Sequence, residues 1–288
     1  MFSIIIPTYN NINYLKLCID SLKKNSKHKH ELIFHVNEGS DGSLNFLKEN
    51  NYKFSYSQYN EGVCVAFNKA AKLATNKYLV LGHDDMYFCP DWDIFFYNEL
   101  KNINEVDFFL SGTMVQPFAS YINLDCGKTY LDFDEKKLLK ELPKIEYHDF
   151  QGTHWQPSLI SLSTWNKVGG FSEEFSPGLG SDPDFNMKLW QIGVRIFKGL
   201  GNCRVYHFSS VSLRKKTWND GAKTFLLKWK ISIKFFKKYY LQSDTFYNGL
   251  LKEPEKNFSY YANYFLCKLN YTYLKYIYNY NKNKYWIF

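Results

Sequence analysis

The chain reads as an α/β protein, a mostly parallel sheet flanked by helices and followed by a basic helical C-terminal extension. Apolar runs beginning near residues 2, 32, 54 and 78 alternate with segments whose apolar residues recur at helical spacing, the pattern of βαβ units. Polar sequences close three of those runs, on the side where sheets of this kind hold ligands.

Phe2–Ile6 is the first expected strand, broken by Pro7-Thr8-Tyr9-Asn10. Tyr14, Leu17, Cys18 and Leu22 mark a helix, and Glu31–Val36 is a second strand ending in Asn37-Glu38-Gly39-Ser40-Asp41-Gly42. Leu44–Glu49 reads as a short helix, Phe54–Ser57 as a third strand, and Val63, Ala66, Phe67, Ala70 and Leu73 as one face of a further helix. Tyr78–Leu81, the fourth strand, runs straight into Gly82-His83-Asp84-Asp85. Past residue 105 the alternation loosens, with strands expected at Phe108–Leu110, Leu159–Leu162 and Arg204–Tyr206 and a helix at Phe185–Ile192.

At 45% apolar and 22% charged residues the composition excludes wholesale disorder and collagen-like repeats. The 288 residues allow one large domain or two small ones, enough to bury a core without disulfide staples. Six scattered cysteines without a C-x-x-C pair fit neither a zinc ribbon nor a disulfide framework, so they are expected to be thiols in a reducing compartment. Phe2–Ile6 already looks like a core strand rather than a signal peptide, and no apolar run reaches the 18 or so residues of a membrane span. A cytoplasmic protein is expected, with the inner face of the membrane as an alternative location.

Charge divides the chain. Residues 1–220 are nearly neutral, whereas residues 221–288 hold 12 lysines against Asp244, Glu253 and Glu255. That break separates an expected catalytic body, 1–220, from a basic aromatic region, 221–288. Along Thr224–Leu241, Phe225, Trp229, Ile233, Phe236 and Tyr240 share one side of a helical wheel and Lys230, Lys234, Lys237 and Lys238 the other. This pattern suits an anionic membrane surface, and equally a helix packed on the body with solvated lysines. Nucleic acid is the weakest reading, because arginine is nearly absent and no recognised binding motif occurs.

Several groups carry candidate chemistry. The adjacent carboxylates Asp84 and Asp85 at a strand end suit a shared Mg²⁺ or Mn²⁺, or alternatively cap the helix near Pro90-Asp91-Trp92. Gly39-Ser40-Asp41-Gly42-Ser43 is a turn that lets backbone approach a ligand, or an ordinary connector. After Gly178-Leu179-Gly180-Ser181, Asp182 is a candidate general base and also, before Pro183, a candidate helix N-cap. Asp184 follows two residues on. His207, after Arg204-Val205-Tyr206, is either a metal ligand or a structural histidine, and His154-Trp155 either meets a sugar or belongs to the core.

Taken in order along Met1–Ser212, these motifs resemble family 2 glycosyltransferases of the GT-A fold, whose sheet is Rossmann-like. Ile4-Ile5-Ile6-Pro7-Thr8-Tyr9-Asn10 is similar to that family's first strand and nucleotide loop, and Val36-Asn37-Glu38-Gly39-Ser40-Asp41-Gly42 to its second. Asn60-Glu61-Gly62 with Asn68 resembles the Asn-x-Gly and following Asn near the donor, His83-Asp84-Asp85 sits at the D-x-D position, and Gly180-Ser181-Asp182-Pro183-Asp184 at Glu-Asp-x-Asp. Val205-Tyr206-His207 resembles a late histidine near the metal and diphosphate. Asn37 and Glu38 stand where the family has aspartates, His83 where it has the first aspartate of D-x-D and Ser181 where it has Glu, while Asp182 keeps its type.

The resemblance implies an inverting, metal-dependent transferase acting between a UDP-, dTDP- or GDP-sugar and a hydroxyl of a glycan or lipid-linked acceptor, in surface polysaccharide or glycoconjugate synthesis. It assigns Asp182 as base and Asp85 with His207 as ligands of Mn²⁺ or Mg²⁺. Donor contacts fall to Pro7, Thr8, Tyr9, Asn10, Asn37, Glu38, Gly39, Ser40, Asn60, Gly62, Asn68, His83 and Asp84, in a nucleotide-binding half over 1–104. Trp155 and Asp184 fall to the acceptor, in a half over 105–220. A sugar-phosphate nucleotidyltransferase would want a glycine-rich basic loop after the first strand, which Pro7–Asn13 lacks. A non-catalytic carbohydrate- or membrane-binding module is the remaining alternative.

Overall fold

The computed structural model of the chain describes residues 1–103, 107–118, 120–153, 156–208 and 219–280. In chain order β1 (Ser3–Tyr9), α1 (Ile12–Asn25), β2 (Glu31–Asn37), α2 (Ser43–Glu49), β3 (Lys53–Ser57), α3 (Val63–Ala71) and β4 (Tyr78–Leu81) alternate as the periodicity predicts. Their strands lie in the order β3-β2-β1-β4, all parallel. Tyr9 stands opposite Asn37 and Asn37 opposite Ser57, so three strand ends meet at one edge.

The second half continues with β5 (Met86–Phe88), α4 (Trp92–Asn102), β6 (Phe108–Gln116), β7 (Ile122–Asn123), α5 (Glu135–Glu141) and β8 (Phe150–Gln151). Then come β9 (Ser158–Ser161), α6 (Leu162–Val168), α7 (Ser181–Gln191) and β10 (Ile196–His207). The same sheet runs on as β4-β9-β6-β10-β5, with β9 antiparallel to both its neighbours, β10 parallel to β6, and β5 antiparallel to β10. β10 is far longer than the expected Arg204–Tyr206, because Gly199 and Gly201 hide its first half from a propensity reading. Gly199 has a packing reason: any Cβ there would overlap the Phe150 ring.

Alternation along the strands sends side chains to two cores. Ile4, Ile6, Phe34, Val36 and Val80 meet α1 and α4 on one face. Ile5, Ile33, Leu79 and Leu81 meet α3, α7 and the C-terminal helices on the other. All six cysteines are buried and free.

The single helix expected over Thr224–Leu241 is two, α8 (Gly221–Trp229) and α9 (Ile233–Tyr239), followed by α10 (Phe258–Tyr280). Lys230 ends α8 in a left-handed conformation at φ 61°, and Ser232 restarts the chain by accepting from Phe235 N at 3.1 Å. Phe225 and Phe236 are fully buried in the cluster that holds Ile5 and Trp165, with Trp229, Ile233 and Tyr240 packed against it. The apolar side of 224–241 therefore faces the body, which leaves Lys230, Lys234, Lys237 and Lys238 at the surface. Among the described residues, no helix is long and apolar enough to cross a membrane.

Because Phe236 belongs to the same core as the sheet, Phe236→Ala should lower the stability of the whole chain by about 3–5 kcal/mol in chemical denaturation. A dispensable appendage would instead leave the main unfolding transition unmoved.

Candidate active site

The chain leaves β4 at Leu81, turns through His83, Asp84 and Asp85, and re-enters the sheet as β5. Pairing of β5 with β10 sets Met86 opposite His207, and Phe208 N donates to Asp85 O at 3.2 Å. This brings His207 Nε2 to 3.3 Å from Asp85 Oδ1, while Gln116 Nε2 lies 2.5 Å from His207 Nδ1. The alternative role of Asp84 and Asp85 as helix caps does not occur, since Asp91 is the N-cap of α4 and β5 intervenes.

Asp84 and Asp85 are each 4% exposed and His207 7%. Burial pushes the Asp84 carboxyl up, and repulsion from Asp85 adds to the push. Burial alone would raise Asp85 too, but His207 beside it more than offsets this and holds Asp85 below the usual carboxylate range. Burial would lower His207, and Asp85 outweighs that and raises it. Two neighbouring carboxyl groups are thus driven apart, one toward the neutral form and one toward the charged form.

Buried polar atoms without a hydrogen-bond partner gather at this edge: Thr8 Oγ1, Asn10 Oδ1, Asn11 Nδ2 and Asp84 Oδ2. Orphaned groups of this kind are costly unless something completes them. Hard divalent cations that bridge to phosphate oxygens need only one or two protein ligands, and Asp85 with His207 fits that requirement. Among the described residues no three His, Cys, Asp or Glu side chains form a closed metal cage.

Asp182 arrives from the other side. Gly180, in the left-handed region at φ 85°, caps α7 without a side-chain bond, and Asp182 lies within the first turn rather than at the cap. Its Oδ1 accepts from Gln156 Nε2 at 2.9 Å, and Gln156 Oε1 lies 3.1 Å from His83 Nε2. Burial raises the Asp182 carboxyl, and the Gln156 bond and the charges of His83 and Lys237 work against the rise. His83, held down chiefly by burial, also feels Asp85, His207 and Asp182. One cluster therefore joins the acid pair of β4–β5 to the carboxylate of α7.

Gln156 is the member that sequence reasoning missed, and its only signal was an amide beside Pro157 at the start of β9. The neighbouring Trp155 and His154 lie outside the described residues. The structure corrects Asp184, expected at the acceptor. Two residues on from Asp182 it points the other way, is fully buried, and accepts from Trp229 Nε1 at 2.8 Å with Lys228 Nζ at 3.0 Å. Asp184 holds α8 on α7.

Where β1 and β2 end, Ser40 Oγ donates to Glu38 Oε1 at 2.9 Å and Asn10 Nδ2 to the same oxygen at 3.1 Å, which lowers the Glu38 carboxyl. Tyr9 is half-buried at the end of β1, and Thr8 is buried beside Asp84. Pro7 is buried within β1 opposite His35. Gly39 is forced, since its φ is +73° and a Cβ there would stand 2.7 Å from Val36 Cγ1. Asn37 is buried and accepts from Glu61 N at 3.1 Å. Asn60 Oδ1 accepts from Gly62 N at 3.0 Å, and Val63 N donates to Pro177 O at 3.1 Å. The Asn60–Gly62 turn thus braces the loop that leads to Asp182. Asn68 is a second correction: its amide donates to Phe171 O at 2.8 Å and accepts from Phe171 N at 2.9 Å, so both ends grip backbone.

Residues 3–116 match the family described as Glycosyl transferase family 2. The chain is 27% identical to a hyaluronan synthase of Pasteurella multocida over 75% of its length, and 27% identical to a chondroitin synthase of P. multocida strain Pm70 over 74%. It spans about a fifth of the length of each of these relatives, 21%. A crystal structure of S. aureus TarS 1-349 in complex with UDP-GlcNAc superposes with a TM-score of 0.57 at 16% identity, covering 94% of this chain and 71% of that one. TarS 1-349 in complex with UDP gives a TM-score of 0.53 at 18% identity, covering 71% and 59%. Residues 3–116 are thus similar to the family 2 glycosyltransferases, and the sheet as a whole has the GT-A fold of the TarS structures.

Proposed function

We propose that the chain transfers a sugar from a UDP-sugar to a hydroxyl of a glycan or lipid-linked glycan, with inversion at the anomeric carbon. The observation that carries this reading is the bonded path from Asp182 through Gln156 to His83, whose charge environment also includes Asp85 and His207. On this reading Asp182 is the base and Asp85 the carboxylate on the diphosphate side of one cluster. The UDP and UDP-GlcNAc complexes of TarS support uridine as the first nucleotide to try. The polysaccharide synthases among the relatives support a glycan acceptor.

Asp182 takes the proton of the acceptor hydroxyl as its oxygen bonds to the anomeric carbon. The bond from that carbon to the diphosphate oxygen breaks with its electron pair, and a single displacement inverts the centre. Asp85 and His207 would hold Mg²⁺ or Mn²⁺, which when bound neutralises charge on the departing diphosphate. Thr8, Asn10, Asn37 and Glu38 bind base and ribose at the laced strand ends, and Gln156 keeps Asp182 turned into the cluster. A shallow cleft of about 500 Å³ lined by Leu179, Gly180, Asn219 and Ile233 opens beside the loop that precedes Asp182.

Asp182→Asn should keep UDP-sugar affinity and lose about 10²–10⁴ in kcat, since an amide accepts no proton at neutral pH. Transfer at near wild-type rate would remove Asp182 from the role of base. Burial raises its carboxyl and the base works only deprotonated, so kcat/KM should fall as pH drops through a pKa above the ordinary carboxylate range. In Gln156→Leu, which loses the bond opposing that rise, the acid limb should move to higher pH. Calorimetry should show UDP binding tightened by Mn²⁺ in the native chain and indifferent to Mn²⁺ in Asp85→Ala. Equal tightening in both would place the cation elsewhere.

A further inference from the structure

Helix α10 carries two apolar stripes, and only one of them is used by the fold. Tyr260, Tyr264, Cys267, Tyr271 and Leu274 recur at alternating steps of four and three and pack on the core beneath α8 and α9. Nearly half a turn around the helix, Phe258, Tyr261, Phe265, Leu269, Tyr273 and Tyr276 recur at steps of three and four and face solvent. Their exposure runs from 50% at Leu269 to 89% at Phe258, and Leu266 at 56% widens the stripe. Single exposed apolar residues are ordinary, but a line of them along about five turns is an interaction surface.

Charge decides what covers it. Residues 258–280 contain no aspartate or glutamate, and their two charged side chains are Lys268 and Lys275. Both lie along one flank of the outer stripe, on the border with the inner one, with their ammonium groups 5.0 Å from the Tyr264 ring and 6.0 Å from the Tyr271 ring. Residues 281–288, outside the described residues, add two lysines and no acid to the sequence. A second copy of the chain laid on this stripe would bring lysine against lysine. An anionic lipid surface would take the aromatic edge at the level of its headgroups and meet the lysines with phosphate.

We propose that α10 lies in the plane of an anionic membrane surface, with the Phe258–Tyr276 stripe in the interface and Lys268 and Lys275 at the headgroups. The helix is too polar to cross a bilayer and is anchored at its inner face by the core, so it docks the enzyme without spanning. The contact differs from the one the sequence suggested over 224–241. There the aromatics are consumed by packing, whereas on α10 a second set remains free.

Co-sedimentation of the full chain with sucrose-loaded vesicles tests this directly. Vesicles of phosphatidylcholine with about one-third phosphatidylglycerol should bind the chain at least ~10-fold more than phosphatidylcholine alone, and salt should weaken the binding. Replacing Tyr261, Phe265 and Leu269 together by Ser should cut binding by about tenfold or more while leaving the thermal midpoint and UDP affinity unchanged. Lys268→Gln with Lys275→Gln should abolish the preference for the anionic lipid. A polarity-sensitive dye on Leu269→Cys should shift to the blue with the anionic vesicles, a readout independent of the triple variant's folding. The proposal is overturned by any of three results: a wild-type chain that stays in the supernatant, a dye that remains in water, or a dimer in sedimentation velocity that the triple substitution dissociates.

Discussion

Placing two consecutive carboxylates in the interior is the constraint around which the molecule is arranged. Asp84 and Asp85 are almost entirely shielded, and a charge in such a place is tolerated only beside a counter-charge or hydrogen-bond donors. The pairing of a three-residue strand, β5, with the end of β10 brings His207 to Asp85 and meets that need for one of them. Without β5 the two aspartates would head a loop, free to turn to water. With it they are fixed at the carboxyl edge of the sheet, where β1 and β2 also end. Thr8 Oγ1, Asn10 Oδ1, Asn11 Nδ2 and Asp84 Oδ2, buried without hydrogen-bond partners, lie at the same edge.

The second half of the fold serves the same edge from the far side. Gly62, at φ +89°, stands where a Cβ would come within 3.0 Å of Pro177 Cα, Val63 N donates to Pro177 O at 3.1 Å, and the loop beginning there delivers Asp182 at the head of α7. Gln156 then spans from that carboxylate to His83. Neither end is covalently near the other: 73 residues separate His83 from Gln156, and 26 separate Gln156 from Asp182. The C-terminal helices complete the support, because Trp229 and Lys228 of α8 occupy Asp184 and so leave Asp182 alone to face the cluster.

What was legible from sequence follows from how local each signal is. The four parallel strands and their helices repeat at short range, so periodicity located them closely. The ordered motifs carried Asp85, Asp182 and His207, which the structure gathers at one edge. Three features escaped. β5 is three apolar residues directly after the Asp84-Asp85 turn, too short to register as a strand. Gln156 acts only through tertiary neighbours, and nothing in its own surroundings announces an amide bridge. Asp184 and Asn68 looked like ligand contacts because polar residues near motifs do, yet each is used by backbone or by a neighbouring helix. In the tail, the wheel over 224–241 identified an amphipathic segment correctly in composition, but Ser232 and Lys230 break it in two and its aromatics turn inward.

The claim on which the account rests is that Asp85 and Asp182 flank a single sugar. The most direct measurement is a crystal structure of the full chain with a UDP-sugar and Mn²⁺. The account predicts diphosphate oxygens and the cation at Asp85 and His207, with the anomeric carbon turned toward the Asp182 carboxylate and the Gln156 bridge intact. A sugar seated with Asp182 on the leaving-group side, or a cation held away from Asp85, would contradict it.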